Sequence, residues 1–117
     1  MELSPDEQAV IDYHRSNLWQ GRGLKNPDGS ITTFKGSVIG ADGGHMILPT
    51  YWHGQVRDIP QAMRFAIKSG IKFPVYPTVK EALAAEQRLH GIMEQDLRDY
   101  AAAPATENEI NGLYRHK

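Results

Sequence analysis

The chain has 117 residues, 40% hydrophobic and 23% charged, with 13 basic and 14 acidic side chains and a formal net charge of -1. That is one domain of ordinary globular composition, without a global field to draw it onto nucleic acid or an anionic membrane. The absence of cysteine removes disulfides, thiolate metal sites and a cysteine nucleophile together; no run of about eighteen apolar residues suggests a membrane span, and MELSPDEQAV lacks a signal-peptide pattern.

Ser4-Pro5-Asp6-Glu7 predicts a helix start, with Ser4 as cap, Pro5 in the first turn and Glu7 closing a capping box. Ala9, Val10, Tyr13 and Leu18 follow at helical spacing, and Gly21 and Gly23 stop a helix expected to reach about Asn17. Asn26-Pro27-Asp28-Gly29 is turn chemistry. Residues 31–39 are rich in β-branched and aromatic side chains and predict a strand, turned at Ala41-Asp42-Gly43-Gly44 into a return strand, His45 to Trp52.

The return strand is apolar on both faces: Met46, Leu48, Thr50 and Trp52 on one, Ile47, Pro49 and Tyr51 on the other. Such a strand is covered twice, by this chain or by a partner. Pro49 lacks a ladder donor, which places an edge or a bulge there. After His53-Gly54, residues 55–57 suggest a short third strand.

Asp58 caps the next predicted helix, with Ile59, Ala62, Met63, Ala66 and Ile67 on one narrow, small-sided stripe and Gly70 at its C-cap. Residues 71–77 carry two prolines and must be extended. Thr78 and Glu81 open the longest helix, whose expected inner stripe is Val79, Ala82, Leu83, Leu89, Met93, Leu97 and Tyr100, with Glu86 and His90 inside it. Residues 101–117 lose periodicity and are expected to form a mobile tail after a single α+β domain spanning 1–100.

Chemistry is sparse. Glu86 and His90 stand one helical turn apart and form a candidate polar pair, but lack a nucleophile and a third orienting group. His45 and His53 flank the return strand, too far apart to share a metal, and His14 joins them only through tertiary folding; no metal site or cofactor is expected. The glycines of GRGLKNPDG and IGADGG lack the lysine and hydroxyl of a phosphate loop. Arg15, Arg22, Lys25 and Lys35, interleaved with Trp19 and Phe34, form a candidate nucleic-acid footprint, against which the balanced charge weighs. Tyr51-Trp52-His53 is either core filling or a protein-docking hot spot.

NPDGSITT, then VIGADGGHMILPT, a helix, a Gly-x-x-Phe segment and a helix bearing Leu89-His90 together resemble a small module of tailed bacteriophages. The matching positions are Asn26, Asp28, Gly29, Ser30, Ile31, Thr33, Ile47, Leu48, Pro49, Thr50, Leu89 and His90, within Gly23 to Gln95. The resemblance implies a part of a virion or DNA-ejection protein, or a small stand-alone phage protein, and carries no catalytic residues across.

The expectation is therefore an α+β fold: a small antiparallel hairpin or meander packed by an N-terminal helix and two C-terminal helices. The expected function is non-enzymatic binding of another virion protein or of a second copy, in the virion or the host cytoplasm, through Tyr51, Trp52, His53 and the tail residues Leu113 and Tyr114. Two alternatives are an early phage protein that inhibits or redirects a host factor, and a wall-degrading accessory enzyme using Glu86 and His90.

Overall fold

The computed structural model describes residues 3–41 and 43–102. They form an α+β fold, ordered α1 (Pro5–Trp19), β1 (Leu24–Lys25), β2 (Ile31–Thr32), β3 (Gly36–Ala41), β4 (Gly44–Pro49), β5 (Tyr51–Trp52), β6 (Gln55–Val56), α2 (Ile59–Ser69), β7 (Val75–Tyr76) and α3 (Val79–Ala102). An N-terminal helix and two later helices thus surround small antiparallel sheets. Ala101 and Ala102 continue α3 rather than starting a tail, and the remaining tail positions lie outside the described residues. Among the described residues no helix is long and apolar enough to cross a membrane.

The caps form where the local chemistry asks for them. Ser4 Oγ accepts the Glu7 N–H at 3.1 Å, and Glu7 Oε1 accepts the Ser4 N–H at 3.0 Å, a complete capping box. The same carboxylate reaches outward: its Oε2 accepts the Tyr76 hydroxyl at 2.6 Å and Arg88 at 3.3 Å. The start of α1 is thereby tied to β7 and α3. α1 runs two residues past Asn17 because its stop is a Schellman closure: Arg22 N–H donates to Asn17 O at 2.8 Å and Gly21 N–H to Leu18 O at 3.4 Å, with Gly21 at φ 70°. Asp58 caps α2 through Gln61 N–H, and Gly70 closes it in the left-handed conformation.

The main sheet has the order β3-β4-β7, antiparallel throughout. Each of the two long strands expected from the sequence is broken. The first is interrupted at residues 33–35, where Asn17 Nδ2 donates to Thr33 O at 2.9 Å and draws the chain to α1. The second changes partner at Thr50: its N–H, with its hydroxyl, donates to Lys35 O at 2.6 and 2.8 Å, in register with β3–β4, while its carbonyl accepts Arg57 N–H at 2.7 Å, in register with the next hairpin. Residues 51–56 then fold off as a separate hairpin, β5–β6.

Pro49 stands at the end of the central strand rather than on an edge. Antiparallel pairing alternates the direction of backbone groups; Ile47 N–H donates to Pro74 O at 3.1 Å, so residues 45, 47 and 49 face the β7 side. β7 pairs only His45 and Met46, so the donor that proline lacks has no acceptor waiting for it. Both faces of β4 are covered by this chain: α2 and α3 pack on it, and Ile47 and Leu48 are completely buried.

The core joins Val10 and Ile11 of α1, Ile47 and Leu48, Trp52, Ala62 and Ala66 of α2, Phe73, and Ala85, Leu89 and Met93 of α3. The alanines of α2 let its backbone approach β4 and β5. On α3 the buried stripe is Ala82, Ala85, Leu89 and Met93, rotated from the expected one; Val79 and Leu83 are 47% and 49% exposed. The small residues lie where the helix approaches the sheet, and the larger Val79 and Leu83 are left outside.

Gly44 marks a close approach. A Cβ there would stand 2.6 Å from the Val75 side chain and 2.8 Å from the Tyr76 carbonyl oxygen. Gly44→Ala is expected to push β7 off β4 and cost about 1–3 kcal/mol, the usual range for overpacking, read as a melting temperature several degrees lower; an unchanged melt would show that β7 is not held against β4.

Candidate functional site

One wall of the site is a face of α1. Ala9, Asp12, Tyr13, Ser16 and Asn17 recur at helical spacing and line a cavity of about 700 Å³, within the usual span of small-molecule and peptide pockets. The opposite wall is the β5–β6 hairpin, with Tyr51, Trp52, His53 and Gly54; Arg22 and Ile71 complete the lining.

The floor is a set of aromatic rings fastened by their polar ends. Tyr13 and Trp52 lie 4.8 Å apart at 53°, and the Tyr13 hydroxyl donates to the Tyr51 carbonyl. The Tyr51 hydroxyl donates to Arg22 O at 2.6 Å, and Trp52 Nε1–H to Pro49 O at 2.7 Å. Burial pushes the Tyr13 phenol up to about 12 and raises Tyr51 as well, so both hydroxyls stay protonated near neutrality.

The rim carries the charge. Asp12 is exposed and takes a hydrogen bond from Gln8 at 2.9 Å, and Arg22 donates to Ser16 Oγ. His53 and Gly54 have φ of 51° and 83°, a two-residue turn with both residues left-handed, for which asparagine-glycine is the favoured pair. His53 packs edge-on against Phe65 at 4.9 Å, and the Arg57 guanidinium lies 5.1 Å from the same ring.

Asparagine tolerates the left-handed region better than most residues, so the melting temperature of His53→Asn is expected to hold or rise. A clear fall would show that the His53–Phe65 contact carries stability.

Tyr51 and Trp52 are 1% and 5% exposed; they are core residues that also floor the cleft, while His53 is exposed on its rim. Leu113 and Tyr114 lie outside the described residues. Glu86 and His90 do not pair: His90 is exposed and turns the other way along α3 to Glu94, at 3.3 Å. Of the basic set, Arg15 is committed to Asp96 through Nε at 2.8 Å and Nη2 at 3.3 Å, Arg22 bends onto Ser16, and Lys25 and Lys35 are exposed. The aromatics interleaved with them are used internally, Trp19 against Tyr100 and Phe34 against Tyr13. Arg15 and the two aromatics are thus engaged within the fold, while Lys25 and Lys35 stay on the surface.

A second polar cluster escaped sequence reasoning. His14 is completely buried, with Nδ1 at Thr33 Oγ1 and Nε2 3.1 Å from Asp96 Oδ2. A carboxylate only accepts, so Nε2 carries the proton and the Thr33 hydroxyl donates to Nδ1. Burial lowers the His14 pKa, outweighing the nearby Asp96 carboxylate. Burial alone would raise Asp96, but the hydrogen bond and charge of Arg15, with His14, hold it below the usual carboxylate value. Hydroxyl, imidazole and carboxylate in series resemble a nucleophilic triad, yet Thr33 is buried, 3% exposed. The only signal in the sequence was a histidine on the buried stripe of α1, with Val10, Ile11 and Leu18.

Among the described residues no three His, Cys, Asp or Glu side chains are grouped to hold a metal ion. Comparison with known protein families, curated proteins and solved structures returns no match to this chain.

Proposed function

We propose that this is a non-enzymatic bacteriophage protein, associated with the virion or its assembly, that binds another virion protein in the cleft between α1 and β5–β6. The observation that carries this reading is the cleft: a rigid aromatic floor with a rim of opposite charges, Asp12 and Arg22. Aromatic anchors ringed by polar groups are the usual composition of a docking hot spot. The floor is prefastened by hydrogen bonds from Tyr13, Tyr51 and Trp52, so little side-chain freedom is lost when a partner enters. The sealed His14–Thr33–Asp96 cluster and the separated Glu86 and His90 favour binding over catalysis. The phage setting and the virion as location rest on the resemblance carried by NPDGSITT and MILPT.

Mass spectrometry of purified particles of the encoding phage tests the proposal. Peptides of this chain in constant proportion to the major virion proteins are expected. Particles that lack the chain overturn the virion assignment.

A further inference from the structure

The outer edge of β3 has no mate. In the β3–β4 ladder Ala41 pairs with Gly44 across the turn, then Ile39 with Met46 and Ser37 with Leu48. Those residues direct their N–H and C=O groups to β4, so Gly36, Val38 and Gly40 direct theirs away from it. β3 is the terminal strand of its sheet, and among the described residues no hydrogen bond is made by the backbone groups of these three. The edge also lacks the devices that keep edges apart. GSVIGA contains no charge and no proline, and its pairing with β4 runs without a bulge.

We propose that β3 is a self-pairing edge: two copies of the chain join antiparallel about Val38, making one continuous six-stranded sheet, β7-β4-β3-β3-β4-β7. The proposal is independent of the cleft. Its first support is the near-palindrome Gly36-Ser37-Val38-Ile39-Gly40. A two-fold axis at Val38 sets each Gly36 against the other copy's Gly40 and the two valines against each other, the isologous contact of a symmetric dimer. Its second is the fit at glycine: a Cβ at Gly36 would stand 2.7 Å from the Phe34 ring, so the opposing position must be small, and in this register it is Gly40.

Gly40→Lys tests the pairing. Gly40 is exposed, and a Cβ there meets nothing within 4 Å, so the variant keeps the monomer fold while placing a charge on the edge. Sedimentation equilibrium of the wild-type chain is expected to show a species of twice the 13.1 kDa chain mass, forming with concentration, and the variant to remain monomeric with an unchanged circular dichroism spectrum. Hydrogen exchange gives a readout that needs no variant. The Ile39 amide, bonded to β4, is protected at all concentrations, whereas the Val38 and Gly40 amides become protected only as the dimer forms. A wild-type chain that stays monomeric, a variant that still dimerises, or a Val38 amide indifferent to concentration each overturns the proposal.

Discussion

Trp52→Ala is expected to lower the free energy of unfolding by about 3–5 kcal/mol, the usual cost of truncating a buried aromatic. Trp52 is 5% exposed and touches rings from three separate parts of the chain: Tyr13 at 4.8 Å, Phe65 at 6.1 Å and Phe73 at 6.2 Å. Its removal opens a void beneath the cleft and leaves the Pro49 carbonyl without the Trp52 Nε1–H donor. Small domains are stable by only about 5–15 kcal/mol, so the loss takes a large fraction of the total. Trp52→Phe keeps most of the ring packing and gives up the hydrogen bond, which costs about 1–2 kcal/mol. Urea unfolding of the three proteins measures both differences. A loss below about 1 kcal/mol for Trp52→Ala would mean that the β5–β6 hairpin is loosely attached, against the core placement of Trp52.

The second large effect is on pH dependence. His14 is buried with its pKa held below the ordinary 6.5, so the folded chain keeps it neutral while the unfolded chain takes up a proton. The groups facing it are Asp96 from α3, Arg15 from its own helix and the uncharged Thr33. Where the unfolded state binds more protons, stability rises with pH. The His14 contribution is therefore complete above the unfolded value and is lost as pH falls through the folded one, at up to about 1.4 kcal/mol per pH unit for one proton. Asp96 and Glu7 are both held below their ordinary values; their stabilisation is present above those values and is lost as the pH falls through the folded ones. Acid unfolding is thus expected in two stages, histidine first.

His14→Gln isolates the first stage. The variant gives up one of the two buried hydrogen bonds and costs about 1–3 kcal/mol at neutral pH, but its stability stays level from pH 7 down to the carboxylate range. Denaturant midpoints measured at each pH give the profile. An equal slope in wild type and variant would assign the histidine-range titration to another group.

What the sequence made legible were features decided within a few residues. Ser4 with Glu7, Asp58 and Gly70 specify helix ends by side-chain hydrogen bonds or backbone conformation one turn away, and the structure carries all of them. The breaks at residues 33–35 and at Thr50 were invisible because the β pattern continues across them. What ends each run is a distant partner: Asn17 takes Thr33 O, and Thr50 turns its carbonyl from the β3–β4 ladder to Arg57 N–H. On α3 the periodicity was clear but its phase was not, since alanine at 82 and 85 is weakly apolar in a pattern and decisive in close packing. The shift in phase puts His90 in solvent, where Glu94 is the neighbour it meets.

The candidate site was half visible. Tyr51-Trp52-His53 stands out as a run and Tyr13 as part of an apolar stripe, but the polar residues of the facing wall, Asp12, Ser16 and Asn17, look like the solvated side of an amphipathic helix until the hairpin is folded against it. His14 and Asp96 are separated by 82 positions, and no local rule connects them.

The most direct test of the cleft as a docking site is photo-crosslinking from within it. Ala9 lines the α1 wall and is partly exposed; benzoylphenylalanine in its place, with the same probe in place of the exposed His90 on α3 as control, is activated during infection. The probe at position 9 is expected to capture one protein, also present in purified particles, and the probe at position 90 is not. Capture of the same protein from both positions, or of no virion protein from position 9, would contradict it.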